Sequence, residues 1–332
     1  MIVDDVDINS PGFGPVFIVG MNGSGTTMIA DCLGNHPDLY VFPRETRVFP
    51  YFISKIHSFG DLSELSARRK LSNTLGKTFE FLRANHNEPL VLSDYELTEP
   101  GFGGVVNSLM RRLTAEQGKK RWGEKSPMYL QHISLLGEYF PNAQFLHIYR
   151  DGRDVAQSVH RRWRLDPRRT IYRWRNILTR GIEQGKKLNA NRFMEVSYEK
   201  LTQNPEAELR KICHFLNLRF HPDILKSSMR QMDPEIRTGS IVKNISKWKS
   251  YFSEKRISEM ESIAGNLLSE LGYEIYTIAG SQQPQKIQIL MWLLHDRFRA
   301  MRYVIRKYGM TSITDNFRRI LTLVRQRRTN IN

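Results

Sequence analysis

Four short stretches of this sequence carry residue types that could hold and move an anionic group. The first is Pro15-Val16-Phe17-Ile18-Val19-Gly20-Met21-Asn22-Gly23-Ser24-Gly25-Thr26-Thr27, an apolar run, a turn with three glycines and two threonines. Met28, Ile29 and Leu33 follow at the spacing of a helix face. The order is buried strand, Gly-rich loop, helix start. Glycine lets the backbone approach a bulky anion and supplies positive φ. The free N–H groups of a helix start then face that anion, helped by the helix dipole. The loop reads as a phosphate cradle, against the alternative of a tight turn that binds nothing. Gly20 and Gly25 keep the spacing of the G-x-x-x-x-G-K-[ST] loop, but Thr26 stands in place of its lysine. A kinase or NTPase would lose its main cation for the terminal phosphates, which points to a phosphate-bearing donor other than Mg-ATP.

The second stretch is Pro43-Arg44-Glu45-Thr46-Arg47-Val48-Phe49-Pro50, directly after a short extended piece, Leu39 to Phe42. Ligands of α/β sheets bind outside the carboxyl ends of strands, so this segment is expected beside the cradle. Standing alone, Glu45 reads as a surface carboxylate paired with Arg44 or Arg47. The third is Arg121-Trp122-Gly123-Glu124-Lys125-Ser126-Pro127, where Ser126 suits an N-cap and Pro127 a first helical turn. Lys125 then lies just ahead of a helix N-terminus, either a second anion site or a solvated lysine. The fourth begins with a strand, Ala143 to Tyr149, and runs into Arg150-Asp151-Gly152-Arg153-Asp154-Val155-Ala156-Gln157-Ser158. Arg150 can present a planar fork to a phosphate and Ser158 a hydroxyl, with Arg161 and Arg162 extending the positive face. The plainer reading is a solvated basic face. His147, inside the apolar strand, reads as a core histidine.

These stretches need a scaffold of alternating strands and helices. The first helix runs to about Asn35 and is stopped by His36-Pro37. Residues 51 to 120 read as mainly helical, with Pro89 to Pro100 and Gly101-Phe102-Gly103-Gly104 as loop that shapes an acceptor pocket. A helix from Ser126 runs through Tyr129 and Leu136 to about Tyr139. Thr170 to Leu188 is a basic helix, Arg192 to Val196 a strand, and Pro205 opens another helix. Glu254 to Leu271 reads as one amphipathic helix that closes the domain. Gly280 to Gln285 is a linker. Beyond it, Lys286 to Arg328 holds two helical patterns broken near Gly309, with Arg297, Arg299, Arg302 and Arg306 among the apolar positions. That segment reads as a helical hairpin packed on the domain or on a second subunit, or as a helix lying in an anionic lipid interface.

The 332 residues suffice for one large domain or two modest ones, and 40% are hydrophobic, enough for a buried core. No apolar run approaches a membrane span. The acidic first ten residues lack the basic start of a secretory signal. Two cysteines, Cys32 and Cys213, give neither a disulfide framework nor a metal spacing and read as reduced core thiols, which fits a cytoplasmic protein. The net charge of +16 suits anionic ligands, nucleic acid or a membrane surface alike. From Ser281 onward eleven Lys and Arg face two Asp, so a net of +9 sits on the tail. No nucleic-acid recognition module is visible, and nucleic acid is not expected as a partner.

Taken in order, the four stretches resemble the sulfotransferases that use 3′-phosphoadenosine 5′-phosphosulfate (PAPS), above all the tyrosylprotein and bacterial branch. The resemblance covers residues 13 to 275 and implies an α/β fold, a P-loop-like parallel sheet flanked by helices. With the C-terminal helical extension, the expected organisation is a sulfotransferase domain over 1–279, a linker over 280–285 and a basic extension over 286–332. Gly23, Ser24, Gly25, Thr26 and Thr27 would cradle the 5′-phosphosulfate of PAPS. Arg150 and Ser158 would hold the 3′-phosphate, assisted by Arg162. Tyr198, in Val196-Ser197-Tyr198-Glu199, and Lys247, in Ile245-Ser246-Lys247-Trp248, match family positions near the nucleotide. Arg237 to Ile245 would form the adenosine-side loop. Glu45 matches the base that deprotonates the acceptor hydroxyl, and Lys125 a lysine that stabilises charge on the transferring group. One departure stands out: related loops read Pro-Arg-Ser-Gly-Thr-Thr, and here the arginine position is Gly23. Arg44, Arg47 or Lys125 would have to replace that cation, or the enzyme would be slow or inactive.

The expected activity is transfer of a sulfuryl group from PAPS to a hydroxyl on a glycan, a glycolipid or another alcohol, more than on tyrosine. A carboxylate base and a positive environment for the developing charge serve such a step. No carboxylate set stands beside the loop to hold Mg²⁺, so side-chain cations and helix ends would replace the metal used in phosphoryl transfer. The rival readings are a nucleotide-dependent kinase and a basic membrane-associated protein with a degenerate cradle. The tail admits contact with a membrane surface or a homo-oligomer.

Overall fold

The computed structural model of the protein describes residues 14–226, 244–277 and 283–308, with only the backbone of 300, 301 and 303–308. Most of the expected Arg237–Ile245 loop, the first part of the linker and the tail beyond Gly309 lie outside the described residues. The chain divides into two units. The first holds residues 1–151 and 175–246, the second 152–174 and 247–332. The Lys286–Tyr308 helix falls in the second unit.

The first unit is built on five strands: β1 (Val16–Gly20), β2 (Leu39–Val41), β3 (Arg121–Lys125), β4 (Gln144–Tyr149) and β5 (Phe193–Ser197). They pair in the order β2-β3-β1-β4-β5, and every pairing is parallel. A parallel sheet is covered on both faces and its central strands are apolar throughout. Every residue of β1 is accordingly buried. Val16 and Ile18 pack on one side with Ile29, Leu33, Leu146, Ile148, Leu209 and Ile212. Phe17 faces the other side, where the rings of Phe49, Trp122, Tyr129, Phe140 and Phe145 surround it at 5.3 to 6.5 Å. Cys32 and Cys213 are buried free thiols, and burial pushes them up to about 12 and about 11.

Strand β3 is absent from the hydrophobic pattern because Arg121, Glu124 and Lys125 interrupt it. Arg121 and Glu124 are buried, and hydrogen-bond partners offset part of that cost. Arg121, at the amino end, donates to the carbonyls of Gly14 and Leu216 and to Gln144 Oε1. Burial pulls its guanidinium down to about 9. Three further expectations change. Gly101-Phe102-Gly103-Gly104 is the first turn of a helix, Gly101–Glu116, not a loop. It lines a cavity of about 790 Å³ together with Gly14, Arg121 and Asn142. Those residues mark the amino ends of β1, β3 and β4, opposite the cradle, so the expected role in the acceptor pocket has no support from placement. The segment after Ser126 is a 3₁₀ turn, Pro127–His132, before the α-helix Ile133–Tyr139. The Glu254–Leu271 pattern breaks at Gly265, whose φ of 59° ends the helix Glu254–Ala264 before a short helix, Leu267–Glu270.

The second unit has its own buried charge. In the helix Gly152–Trp163, Arg153 is 2% exposed, pairs with Glu261, itself 1% exposed, and lies 3.9 Å from the ring centre of Trp248. Asp154 Oδ1 accepts the Trp248 backbone N–H at 3.1 Å.

Truncating the hub should be costly: Phe17→Ala is expected to destabilise the protein by about 3–5 kcal/mol, read as a lowered urea midpoint. A midpoint unchanged from wild type would show that the aromatic cluster does not hold the sheet.

Candidate active site

The carboxyl edge of the sheet gathers most of the residues singled out above. Strand β1 ends in the Gly-rich turn and the helix Thr26–Gly34. Gly23 and Gly25 have φ of 94° and 99°, a region that side chains other than glycine's rarely tolerate. Gly25 is needed for space as well, since a Cβ there would lie 2.5 Å from Tyr198 Cδ2. The Gly25 carbonyl accepts the Ile29 amide at 3.1 Å, and the helix start has no side-chain cap. The amides of Thr26, Thr27 and Met28 are therefore the orphan donors of the first turn. Ser24 is different. Its amide donates to the Met21 carbonyl at 3.0 Å and its hydroxyl to the same carbonyl at 2.6 Å, with the Ile148 carbonyl at 3.1 Å. Ser24 braces the turn from inside, whereas Thr27 is exposed.

Strands β4 and β5 deliver the next two residues. Arg150, directly after β4, is 3% exposed and donates from Nη1 to the Gly23 carbonyl at 3.1 Å and from Nη2 to the Asn244 carbonyl. Tyr198, directly after β5, is buried, and its ring centre lies 4.4 Å from the Arg150 guanidinium. Cradle, arginine and tyrosine thus touch one another.

On the other side of β1, Lys125 closes β3, whose Lys125 is in register with Ile18. Glu45 lies in the segment after β2. Lys125 Nζ and Glu45 Oε1 are 2.8 Å apart, with the side chains 13% and 19% exposed. Arg47 Nε also donates to Glu45, at 2.6 Å. The carboxylate sits between two cations in a half-closed place, so the surface pair expected of Glu45 in isolation is only part of its setting.

What positions Glu45 is a residue to which the sequence pattern gave no role. Glu124 is fully buried, and its Oε1 accepts the Thr46 amide at 2.8 Å, the Thr46 hydroxyl at 3.1 Å and the Ser126 hydroxyl at 2.5 Å. The Tyr129 hydroxyl lies 2.7 Å from Thr46 Oγ1 and accepts the Phe49 amide at 3.1 Å. Ser126 is thus occupied with Glu124, and it does not cap the turn that follows. The signal available in the sequence was a carboxylate inside a segment otherwise fit for a buried strand, next to Lys125. Burial is the main cause that raises the Glu124 carboxyl from 4.5 to about 7, opposed by its hydrogen bonds and by Lys125.

Ser158, Arg162 and Lys247 belong to the second unit. Ser158 is half-buried on the helix Gly152–Trp163, Arg162 is exposed near its end, and Lys247 is exposed just before the short helix Trp248–Tyr251. The Arg-Asp-Gly-Arg motif therefore splits: Arg150 serves the cradle, and Arg153 serves the core of the second unit. His147 is fully buried within β4, as a core histidine should be.

A parallel sheet with a Gly-rich strand-loop-helix at its centre and cations on the same edge defines a P-loop-like transferase. The chain belongs to the sulfotransferase family, since residues 15–222 match the model described as "Sulfotransferase family". It is similar to a protein-tyrosine sulfotransferase of Drosophila melanogaster, 26% identical over 79% of this chain and 52% of that one. The chain thus spans about half the length of that relative. Protein-tyrosine sulfotransferase A of Caenorhabditis elegans is 24% identical over 78% of this chain and 67% of its own. Among solved structures, the sulfotransferase domain of the Synechococcus PCC 7002 olefin synthase superposes with a TM-score of 0.56 at 22% identity, covering 79% of this chain and 95% of that domain. The sulfotransferase domain from the curacin biosynthetic pathway gives 0.52 at 20%, covering 79% and 99%.

The raised Glu124 pKa has a sign. A carboxyl that holds its proton more tightly when folded contributes stability below its unfolded value and loses it as pH rises through the folded one. Between about pH 4.5 and 7 the stability of the wild type should therefore fall relative to Glu124→Gln. Denaturant midpoints of both proteins across that range provide the check, and parallel curves would remove the buried ionisation.

Proposed function

We propose that the protein transfers a sulfuryl group from PAPS to the hydroxyl of an acceptor. The observation that supports this most is the 3.1 Å contact of Arg150 Nη1 with the Gly23 carbonyl. It brings the guanidinium of one strand-turn-helix unit onto the amide cradle of another, so two anionic ends of one nucleotide could be met within a few ångströms. The residues present fit such a group: orphan amides at the helix start, glycines that leave room for it, and a buried fork-shaped cation beside them. PAPS, when bound, supplies an activated sulfuryl group. Thr26, Thr27 and the backbone of Gly23 and Gly25 hold its 5′ side in this reading, and Arg150, against Tyr198, holds the 3′-phosphate. Ser158, Arg162 and Lys247 are assigned to the donor by family resemblance alone.

Glu45 takes the proton of the acceptor hydroxyl. Lys125, 2.8 Å from it, opposes the negative charge that grows on the transferring oxygens. Arg47 and Lys125, which share the Glu45 carboxylate, are the candidates to replace the arginine missing at position 23. The acceptor is a glycan, a glycolipid or another alcohol. The tyrosine phenol, which the names of the fly and worm relatives carry, is the competing class. Among the described residues no helix is long and apolar enough to cross a membrane. The free thiols of Cys32 and Cys213 agree with a cytoplasmic setting, which belongs to this proposal.

Thermal shift separates this reading from a kinase. Adenosine 3′,5′-bisphosphate should raise the melting temperature with chelator present, and Mg-ATP should do so much less. Equal shifts, or none, would count against it. Glu45→Gln is expected to lower turnover by about 100-fold or more with bisphosphate affinity kept. Arg150→Ala is expected to weaken that affinity by about tenfold or more. Turnover that survives the first substitution would take Glu45 out of the base role.

A further inference from the structure

The Lys286–Tyr308 helix packs on its own unit by one narrow face. Trp292 and Asp296 are buried there, at 8% and 3% exposure. Asp296 accepts the Asp166 amide at 2.7 Å and pairs with Arg169 at 2.7 Å, and the Arg168 guanidinium lies 5.3 Å from the Trp292 ring centre. The opposite face is apolar and open. Ile287, Leu290, Met291, Leu294 and Phe298 are between 48% and 56% exposed. Their spacing puts all five on one stripe of a helix. Exposed cations border it: at about 100° per residue, Lys286 and Arg297 fall on one side and Arg299 and Arg302 on the other. The helix has one acidic residue, Asp296, and it is turned inward.

We propose that this face is a docking surface for an anionic phospholipid bilayer, on which the helix lies flat. Charge decides the occupant. An apolar stripe between rows of cations fits a surface of negative headgroups over hydrocarbon, with the long arginine stems reaching outward. A second copy of the chain fits poorly, because a two-fold interface sets the same face against itself. Arginine would then meet arginine with no carboxylate on that face to separate them. The chain's own residues beyond 308 carry five arginines and one aspartate, the same sign again. The helix lies on the bilayer and does not span it, since Asp296, Arg297, Arg299 and Arg302 occupy its middle. The inference is independent of the proposed transfer reaction.

The full chain should float with phosphatidylcholine vesicles containing roughly a third phosphatidylglycerol about tenfold more than with phosphatidylcholine alone. The triple variant Leu290→Gln, Leu294→Gln, Phe298→Gln removes only exposed apolar side chains. It should keep the wild-type melting temperature and lose about tenfold in vesicle binding. Arg297→Gln with Arg302→Gln should abolish the preference for the anionic vesicles. Three results would overturn the proposal: equal flotation with both vesicles, undiminished binding by the triple variant, or a wild-type dimer in sedimentation that the triple variant dissolves.

Discussion

Parallel pairing is the constraint on which the rest depends. Once β1 takes parallel neighbours on both sides, each strand must be followed by a crossover, and every crossover leaves the same edge. The turn after β1, the segment carrying Glu45, Lys125, Arg150 and Tyr198 then face one rim, although the first and last are more than 170 residues apart in sequence. The apolar character of β1 and the ring cluster around Phe17 hold that arrangement from beneath. The chemistry stands at the carboxyl edge of a sheet whose centre is apolar.

Those charges are then disciplined locally. Glu124 is buried where a carboxylate is expensive, and three donors from Thr46 and Ser126 make its place specific. The result is a fixed path for the chain on either side of Thr46, so that Glu45 meets Lys125 and Arg47 and not bulk water alone. Ser24 plays the matching part in the cradle, tying the turn to Met21 and leaving the outward amides unencumbered by its own side chain.

Much of this is legible in the sequence. Strand, glycine turn and helix start announce themselves through period and composition, and β1, β4 and β5 fall where apolar runs place them. Strand β3 was not legible, because its polar members are satisfied by partners far off in sequence, Gly14 and Leu216 for Arg121 and Thr46 for Glu124. The same blindness hid the split of the Arg-Asp-Gly-Arg motif, since nothing local distinguishes an arginine bound for the cradle from one bound for Glu261. The single helix read over Glu254–Leu271 failed for a different reason: one glycine with positive φ ends a helix without disturbing its hydrophobic rhythm.

Gly23 limits what can stand at its position in the loop. Its φ of 94° and its carbonyl's engagement with Arg150 mean that the backbone has settled into a shape only glycine accepts comfortably. An arginine at position 23, as the resemblance implies for the family's loop, would therefore not be a simple substitution. The peptide would have to turn and the neighbouring guanidinium find a new acceptor in the same event.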